Sequence, residues 1–405
     1  MTAGTAPYDR TGAAAAPPLR LLLVGGFLGA GKTTLLAAAS RRLAERGFIV
    51  GLVTNDQAEE LVDTALLARD GTPVEEVAGS CFCCNYDGLL GAVTSLADRG
   101  ASAVIAEPVG SCADLSATIL QPTKDTRRDI HLAPFSVLVE PDRLEELEND
   151  RSVLHVNARY IADLQLKEAD RIVLTKVDTL SLARRSALRA TLHRRYPGVP
   201  LSEVSAVTGD GIESWLDQLL AGGLSGERLV DVDYDRYAEG EAVLGWFNAN
   251  YHLAWTDAGP HWRTCAATLM SDLQAAFQRE SAAVGHLKLL MSLEGGSLAA
   301  NLTSLSGLVN IRTDGALTAQ TATLIVNARV QMAPAHLSAL VESAMSRMRA
   351  TSCAVHTAAQ HSLSAARPQP THRYDHVVSQ PAHRYDHVVS QPAPPRESAV
   401  TALQT

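Results

Sequence analysis

The sequence predicts an α/β fold with a doubly wound, mostly parallel sheet, followed by a smaller α+β domain and a disordered tail. From residue 19 to about residue 220, short apolar runs alternate with longer helical patterns, which indicates successive βαβ units. The apolar runs are continuous, so we expect helices to cover both faces of each strand. The predicted strands are residues 19–25, 48–54, 74–77, 103–107, 135–140, 171–175 and 200–205, and the predicted helices include residues 32–46, 181–195 and 211–220.

A second domain is predicted at residues 231–350, because a glycine-rich stretch ends the first domain (19–225) and the pattern changes after it. An extended run at 242–255 is followed by a helix at 265–281, and Pro334 stands in the first turn of a final helix, 334–349. This order favours a small domain with antiparallel strands. The strands predicted between the two helices are residues 285–293, 307–312 and 321–329.

Both ends of the chain are predicted to be disordered, at residues 1–18 and 351–405. The C-terminal tail contains an 11-residue unit, HRYDHVVSQPA, at residues 372–382 and again at 383–393. Each copy places two histidines four residues apart. The histidine pairs indicate either a weak metal site or an inert tandem duplication.

The composition is that of an ordinary globular protein, with 46% hydrophobic and 20% charged residues in a chain of 405. A net charge of −9 argues against a nucleic-acid-binding surface. No apolar run approaches the roughly 20 residues that cross a bilayer, and the first 18 residues lack the features of a secretory signal. We therefore expect a cytoplasmic protein without nucleic-acid or membrane partners.

Residues 26–33, GFLGAGKT, fit the pattern G-x-x-x-x-G-K-[ST], and they follow a predicted strand and open a predicted helix. In this context the glycines allow the backbone N–H groups of residues 26–31 to surround phosphates at the start of the helix. Lys32 is predicted to reach the β- and γ-phosphates, and Thr33 to ligate Mg²⁺. The predicted phosphate-binding residues are Gly26, Gly29, Ala30, Gly31, Lys32 and Thr33.

Residues 175–178, Thr-Lys-Val-Asp, end a predicted strand and match the guanine-reading pattern [NT]KxD. An aspartate at this place accepts hydrogen bonds from guanine N1–H and N2–H₂, which adenine lacks. After a later strand, a Ser-Ala pair resembles the element that lies behind guanine O6. The order of these motifs favours GTP over ATP. The predicted guanine site comprises Thr175, Lys176, Asp178, Ser205 and Ala206.

The strand at 103–107 ends in Glu107, which is followed by Pro, Val and Gly110. Most GTPases carry Asp-x-x-Gly here, where the carboxylate holds Mg²⁺ through water and the glycine amide contacts the γ-phosphate. The sequence therefore predicts that Glu107 serves Mg²⁺ and that Gly110 senses the nucleotide. The alternative is that Glu107 is only a charge at a strand end.

Three of the six cysteines, Cys81, Cys83 and Cys84, lie within four residues, directly after Gly79 and Ser80. Three thiolates suit Zn²⁺ or another thiophilic ion, which leaves a fourth position for a carboxylate, a water or an exchange partner. The alternatives are buried small hydrophobic residues or a redox-active pair. Cys112 is expected either to couple movement of the segment near Gly110 to this site or to be a cysteine packed in a helix.

The sequence resembles the CobW-type GTPases, a group that includes UreG and HypB. The resemblance is carried by the runs GGFLGAGKTT and CxCC, by Glu-Pro-Val-Gly at 107–110, and by Gln165 with Glu-Ala-Asp at 168–170 before IVLTKVD. The resemblance covers residues 19–225. It implies a GTPase whose hydrolysis cycle is coupled to delivery of Zn²⁺ or Co²⁺ to a client protein. The residues that it carries over are Lys32, Thr33, Thr34, Glu107 and Asp178 for nucleotide and Mg²⁺, and Cys81, Cys83 and Cys84 for the delivered metal.

Many relatives carry Glu-Asn-Glu-Phe-Gly-Glu after the second strand, where this chain has Thr-Asn-Asp-Gln-Ala-Glu-Glu at 54–60. Asp56 is expected to serve the switch region and either Mg²⁺ or the attacking water. The alternative role of Asp56 is a helix N-cap. The second domain shows no Arg-x-Lys-Gly motif, so the client and the metal are not transferred from better-matched relatives.

The sequence thus predicts a GTP-hydrolysing metallochaperone, with Lys32, Glu107 and Asp56 as catalytic residues. Intrinsic turnover is expected to be slow, because no arginine finger is identifiable, and a client or a homodimer is expected to stimulate it. Two alternatives remain. One is a GTPase chaperone of a cofactor enzyme, such as a corrinoid-dependent one, with structural cysteines. The other is a non-enzymatic metal buffer or sensor.

Overall fold

The computed structural model describes residues 18–56, 72–148, 152–257, 259–305, 307–349 and 353–379. Within them the first domain contains eight parallel strands. Seven lie in the order β3-β2-β4-β1-β6-β7-β8, and β5 pairs with the start of β1. The strands are β1 (Leu19–Gly26), β2 (Val50–Asp56), β3 (Val74–Ala78), β4 (Ala103–Glu107), β5 (Ile130–Leu132), β6 (Ser136–Val139), β7 (Arg171–Leu174) and β8 (Leu201–Glu203).

Helices cover both faces of this sheet, as the continuous apolar runs predict. On β1, Leu22 and Val24 enter one hydrophobic core, while Leu21 and Leu23 enter the other. The carboxyl ends of the parallel strands meet at one edge, where the loops carry the predicted motifs. The described helices of the first domain are Lys32–Glu45, Tyr86–Asp98, Gln121–Thr126, Pro141–Glu148, Val156–Glu168, Leu182–Arg195 and Ile212–Leu220, with a π-helical turn at Ser116–Leu120 and a 3₁₀ turn at Val177–Thr179.

In the part of the second domain that the structure describes, six strands form an antiparallel sheet in the order β12-β11-β10-β13-β9-β14. Helix Tyr234–Ala242 leads into the sheet, and the helices Trp262–Arg279 and Pro334–Arg349 share a hydrophobic core with it. The predicted α+β architecture is confirmed. The strands are β9 (Gly245–Trp255), β10 (Val284–Leu293), β11 (Gly296–Leu302), β12 (Asn310–Gly315), β13 (Thr321–Val330) and β14 (Cys353–Ser364).

Three strands were not predicted: β5, β11 and β14. The β11 sequence, GSLAANL, is rich in small residues, and it is a strand because it pairs with both β10 and β12. The β14 sequence, CAVHTAAQHSLS, is largely polar and pairs with β9 at the edge of the sheet. Backbone pairing with a distant partner, rather than local hydrophobicity, determines both strands.

The predicted disorder of the tail from residue 351 is wrong for residues 353–379. Strand β14 closes one edge of the second sheet, and the chain then runs back to the first domain, where Arg373 forms an ion pair with Asp114. These contacts join segments that are far apart in the chain, so the polar local composition gives no sign of them. The second copy of the 11-residue unit lies outside the described residues, as does the predicted disordered arm except for residue 18.

The second domain packs directly on the first at the loop after β1. A Cβ atom on Gly29 would lie 2.9 Å from the Thr303 side chain, and one on Gly285 would lie 2.8 Å from Leu28. The Thr303 hydroxyl also lies 3.4 Å from both Lys176 Nζ and Glu140 Oε2. The second domain therefore closes over the predicted nucleotide site.

Among the described residues, no helix combines the length and the apolar character that a membrane span requires.

Candidate functional site

The P-loop pattern lies where the sequence predicts it, between the end of β1 and helix Lys32–Glu45. Gly31 precedes the helix with φ +90°, a left-handed conformation that favours glycine. The Ala30 N–H donates to the Phe27 carbonyl at 3.1 Å, and Lys32 Nζ donates to the Gly26 carbonyl at 2.9 Å. The lysine thus curls back over its own loop, in the geometry of a phosphate cradle.

The predicted Mg²⁺ residues come together because β4 lies beside β1 in parallel. The Thr33 hydroxyl donates to Glu107 Oε1 at 3.2 Å, and Lys32 Nζ lies 3.8 Å from the same oxygen. All three side chains are buried. A hydroxyl and a carboxylate at this separation fit Mg²⁺, which prefers oxygen ligands and binds through few protein groups. Thr34 follows in the first helical turn and is half-buried.

The predicted guanine motifs also meet. The Thr175 hydroxyl donates to the Ala30 carbonyl at 2.8 Å, which ties the motif to the P-loop. Lys176 adopts a left-handed conformation (φ 55°) and forms an ion pair with Glu140, while Asp178 is exposed. The Val177 N–H contacts the Val204 carbonyl at 3.4 Å, so the loop that carries Ser205 and half-buried Ala206 lies against this turn.

Gly110 lies against the P-loop, because a Cβ atom there would lie 2.7 Å from Leu28. Its predicted contact with the γ-phosphate stays a prediction. Asp56 is the last residue of β2, but its side chain and residues 57–71 are not among those described. The predicted switch and catalytic role of Asp56 therefore stays a prediction.

The three clustered cysteines form a turn between β3 and helix Tyr86–Asp98. Gly79, with φ +85°, turns the chain, as predicted. The Cys84 N–H then donates to the Cys81 carbonyl at 3.0 Å, which closes the turn. The Cys81 sulfur lies 3.0 Å from the sulfurs of both Cys83 and Cys84, which are 3.9 Å apart.

This geometry fits a thiophilic metal ion. The three sulfurs all lie within 4.8 Å of one another. Tetrahedral Zn²⁺ with Zn–S bonds of about 2.3 Å needs sulfurs about 3.8 Å apart, so small side-chain rotations suffice. Cys81 and Cys83 are buried, whereas Cys84 is half-buried. A metal that enters or leaves would therefore pass on the Cys84 side.

The cysteines share their hydrogen bonds unequally. Hydrogen bonds from Cys112, Cys83 and Cys84 lower the pKa of the Cys81 thiol. The same contacts raise the pKa of Cys83 and Cys112, and the Cys81 contact raises that of Cys84 to about 11. The Cys81 thiol therefore loses its proton more readily than the thiols of Cys83, Cys84 and Cys112.

Asn55 holds the cysteine turn and was not predicted to have a role. Its Nδ2 donates to the carbonyls of Val77 (2.8 Å) and Ser80 (2.7 Å), while its Oδ1 accepts from the Phe82 N–H at 2.8 Å. A buried asparagine at the carboxyl end of a strand is the sequence signal that could have indicated this function.

The C-terminal tail covers the same turn. The Gln369 N–H donates to the Cys84 sulfur at 3.2 Å, and the Thr371 N–H donates to the Cys83 carbonyl at 2.8 Å. The His372 ring packs edge-on against Tyr86, with centroids 5.1 Å apart. The first copy of the 11-residue unit therefore begins where the tail meets the cysteine turn.

The fold and the site together define a P-loop nucleotide-binding domain of the GTPase type. Residues 20–202 match the family model described as the CobW/HypB/UreG nucleotide-binding domain. This match covers the region whose sequence motifs resemble that family.

Two curated relatives each match less than half of the chain. The zinc chaperone YjiA of Escherichia coli is 28% identical over 191 residues, which span 44% of this chain and 56% of YjiA. The zinc chaperone YeiR of Escherichia coli is 29% identical over 180 residues, which span 42% of this chain and 50% of YeiR. The match thus spans about half the length of these relatives.

Solved structures that match part of the chain include HypB from Helicobacter pylori in complex with nickel, at a TM-score of 0.37 and 20% identity over 50% of this chain and 86% of HypB. The Zn(II)-bound YjiA GTPase from Escherichia coli has a TM-score of 0.32 and 16% identity over 80% of this chain and 98% of YjiA.

Proposed function

We propose that the protein hydrolyses GTP and uses the hydrolysis cycle to hold, and then deliver, a divalent thiophilic metal to a client protein. Zn²⁺ is the first candidate, because both curated relatives are named zinc chaperones. Co²⁺ suits the same ligands. The observation that carries the proposal is the convergence of three cysteine sulfurs within 4.8 Å in the domain that holds the P-loop.

The nucleotide part of the proposal rests on the residues at the carboxyl edge of the sheet. Lys32 would neutralise charge on the β- and γ-phosphates. Thr33 and Glu107, whose oxygens are 3.2 Å apart, would hold Mg²⁺. Asp178 would read guanine. We propose that a client metalloprotein or a second copy of the chain stimulates hydrolysis, which is expected to be slow alone.

The coupling between the two sites follows the segment after β4. Gly110 contacts the P-loop residue Leu28 and is two residues from Cys112, which is buried in the same hydrophobic core as Cys81 and Cys83. Gln165 Nε2 donates to the carbonyls of both Gly110 (3.0 Å) and Cys112 (2.7 Å). A γ-phosphate that attracts the Gly110 N–H would therefore displace the segment as a unit and change the packing of the cysteine turn.

Two other functions lead to different results. If the protein were a GTPase chaperone of a cofactor enzyme, with structural cysteines, its client-stimulated rate of GTP hydrolysis would not change when Cys83 is replaced. A metal buffer or sensor would show no repeated turnover of GTP.

The test is the rate at which Zn²⁺-loaded protein passes its metal to a chromophoric chelator in Mg²⁺ with GTP or a non-hydrolysable GTP analogue. We expect GTP to accelerate transfer by about tenfold or more, which equals about 1.4 kcal/mol of coupling. The variant Thr33→Ala should bind Zn²⁺ normally and show no acceleration. Equal transfer rates in the two nucleotides, with GTP turnover intact, would overturn the proposal.

A further inference from the structure

The C-terminal tail is anchored to the first domain on both sides of its contact with the cysteine turn. Before the contact, Ala365 and Pro368 are buried. After it, the Tyr374 hydroxyl donates to Asp125 Oδ2 at 2.7 Å, and the Tyr374 N–H donates to the Ala117 carbonyl at 3.1 Å. These anchors hold the short stretch between them against the cysteine turn.

The stretch between the anchors donates a hydrogen bond to a candidate metal ligand. The Gln369 N–H lies 3.2 Å from the Cys84 sulfur, to which it donates. Proline has no N–H, so Gln369 is the single backbone donor between Pro368 and Pro370. A residue before a proline favours extended backbone, so the two prolines restrict the conformation of Gln369. The sequence thus provides one donor on a stiff segment, and the structure places it on the sulfur.

The sulfur that receives this N–H is the one on the open side of the cysteine turn. Cys84 is half-buried, whereas Cys81 and Cys83 are buried. The tail therefore lies across the side on which a metal would enter or leave. A hydrogen bond to a charged acceptor is stronger than one to a neutral acceptor, so the Gln369 N–H stabilises Cys84 most when its sulfur is a metal-bound thiolate.

The side chains that fasten the tail are partly exposed, so the tail can detach while the rest of the fold stays intact. The Arg373 side chain that pairs with buried Asp114 is 37% exposed, and the Arg367 side chain that pairs with Asp235 is 50% exposed. Segments with exposed hydrogen bonds open at a lower free-energy cost than the whole domain unfolds. The contacts therefore define a docked state and a detached state of the tail.

We propose that the tail is a working part of the metal site. In the docked state the Gln369 N–H supports the Cys84 thiolate and the tail covers the route to the metal, so the metal is retained. In the detached state both effects are lost, and the metal passes to an acceptor. The proposal rests on the proposed function only in that the cysteine turn binds a divalent thiophilic metal, and it requires neither GTP nor a client.

The test is the rate at which Zn²⁺ leaves the full chain for a chromophoric chelator without nucleotide, together with the Zn²⁺ affinity from a competitive titration. Gln369→Pro removes the N–H and keeps the extended backbone that the flanking prolines favour. Gln369→Ala truncates the same side chain but keeps the N–H. We expect Gln369→Pro to release Zn²⁺ at least about tenfold faster than Gln369→Ala and to bind it about tenfold more weakly, the smaller effect known for groups that support a ligand. Equal rates and affinities in the two variants would overturn the proposal.

Co²⁺ in place of Zn²⁺ separates support of the sulfur from simple coverage. Loss of an N–H donor raises the energy of the thiolate electrons, so the thiolate-to-Co²⁺ charge-transfer band of Gln369→Pro should lie at longer wavelength than that of Gln369→Ala. A band at the same wavelength in both variants would overturn the role of the N–H.

The control for the proline itself is Ala366→Pro, which changes an exposed residue of the same tail outside these contacts and should release Zn²⁺ at the native rate. The second variant is Arg373→Ala/Arg384→Ala, which detaches the tail without a new proline. It should release Zn²⁺ at least as fast as Gln369→Pro does. A native release rate in this variant, with hydrogen exchange showing that residues 371–378 are detached, would also overturn the proposal.

The failure of this proposal differs from the failure of the proposed function. A difference between the two Gln369 variants, with metal transfer that is insensitive to GTP, would contradict the proposed function and leave the role of the tail intact. Transfer that GTP accelerates, with identical Gln369 variants, would do the reverse.

Discussion

The ion pair between Arg373 and Asp114 fastens the C-terminal tail over the cysteine turn. Arg373 Nε donates to Asp114 Oδ2 at 2.7 Å, and the Asp114 side chain is 1% exposed. Burial raises the pKa of Asp114, while hydrogen bonds from Tyr234 and Arg373 oppose that rise. Of the two donors, Arg373→Ala would leave only the Tyr234 hydroxyl to hydrogen-bond the buried Asp114 carboxylate.

The size of the effect follows from burial. Removal of one partner of a fully buried pair costs about 3–5 kcal/mol. The Arg373 side chain is 37% exposed, so water screens part of the interaction, and we expect about 1–3 kcal/mol. That range corresponds to an increase of about 5- to 150-fold in the population with the tail detached.

The assay is the alkylation rate of Cys84 together with hydrogen exchange across residues 367–379. Cys84 is half-buried, and Gln369 donates its N–H to the Cys84 sulfur, so detachment of the tail should increase both rates by the same factor. The matched control is Arg367→Ala, which removes an exposed ion pair with Asp235 in the same tail and should change either rate little.

Arg384 occupies the position of Arg373 in the second copy of the 11-residue unit. Arg384 would replace Arg373 if the tail shifted by one copy, so the variant Arg373→Ala/Arg384→Ala removes both arginines. If even this double variant alkylates Cys84 no faster than Arg367→Ala does, the ion pair does not hold the tail in place.

Three further predictions concern the nucleotide site and stability. Thr33→Ala should weaken GTP binding in Mg²⁺ by about tenfold or more, and leave binding in EDTA unchanged in a fluorescent-nucleotide titration. Asp178→Asn should weaken GTP binding by about 100-fold, because hydrogen bonds to a charged acceptor contribute about 1.5–3 kcal/mol each. Xanthosine triphosphate should then bind this variant better than GTP does in a competition titration. A variant that still prefers GTP would contradict the assignment of Asp178 to guanine recognition. Burial acts to raise the pKa of Asp163, but hydrogen bonds from groups that include Lys167 and Arg195 lower it below 3.8. A carboxylate whose pKa is lower in the folded than in the unfolded state stabilises the folded state at pH values above its unfolded-state pKa. Asp163→Asn should therefore reduce the free energy of unfolding, measured by urea titration, by about 1–2 kcal/mol near pH 7. The difference between the variant and the native protein should shrink as the pH falls toward about 3.

The first domain was predictable because its strands are fully covered. Continuous apolar runs mark β1, β4 and β7, and each precedes a loop with a recognisable motif. Such motifs need fixed residue types at fixed spacing, so Lys32 and Glu107 could be placed at one edge of the sheet before the structure was known.

The second domain and the tail were less predictable because long-range contacts determine them. Polar β14 is a strand because β9 offers it a free edge. Asn55 acts through three backbone groups on another segment, and Cys112 meets the cysteine turn only after the parallel sheet aligns β2, β3 and β4. The position of Asn55 at the carboxyl end of a strand indicates a function but not these particular contacts, and no local pattern reveals the contacts of Cys112.

The central claim is that nucleotide state and metal affinity are linked. The most direct test is a competitive Zn²⁺ titration in Mg²⁺ with either GDP or a non-hydrolysable GTP analogue, on the native protein and on Cys83→Ser/Cys84→Ser. We predict a difference of about tenfold or more between the two nucleotides, about 1.4 kcal/mol, which the double variant abolishes. Zn²⁺ should tighten binding of the analogue by the same factor, because linkage is reciprocal. Equal Zn²⁺ affinity in the two nucleotide states would contradict the claim.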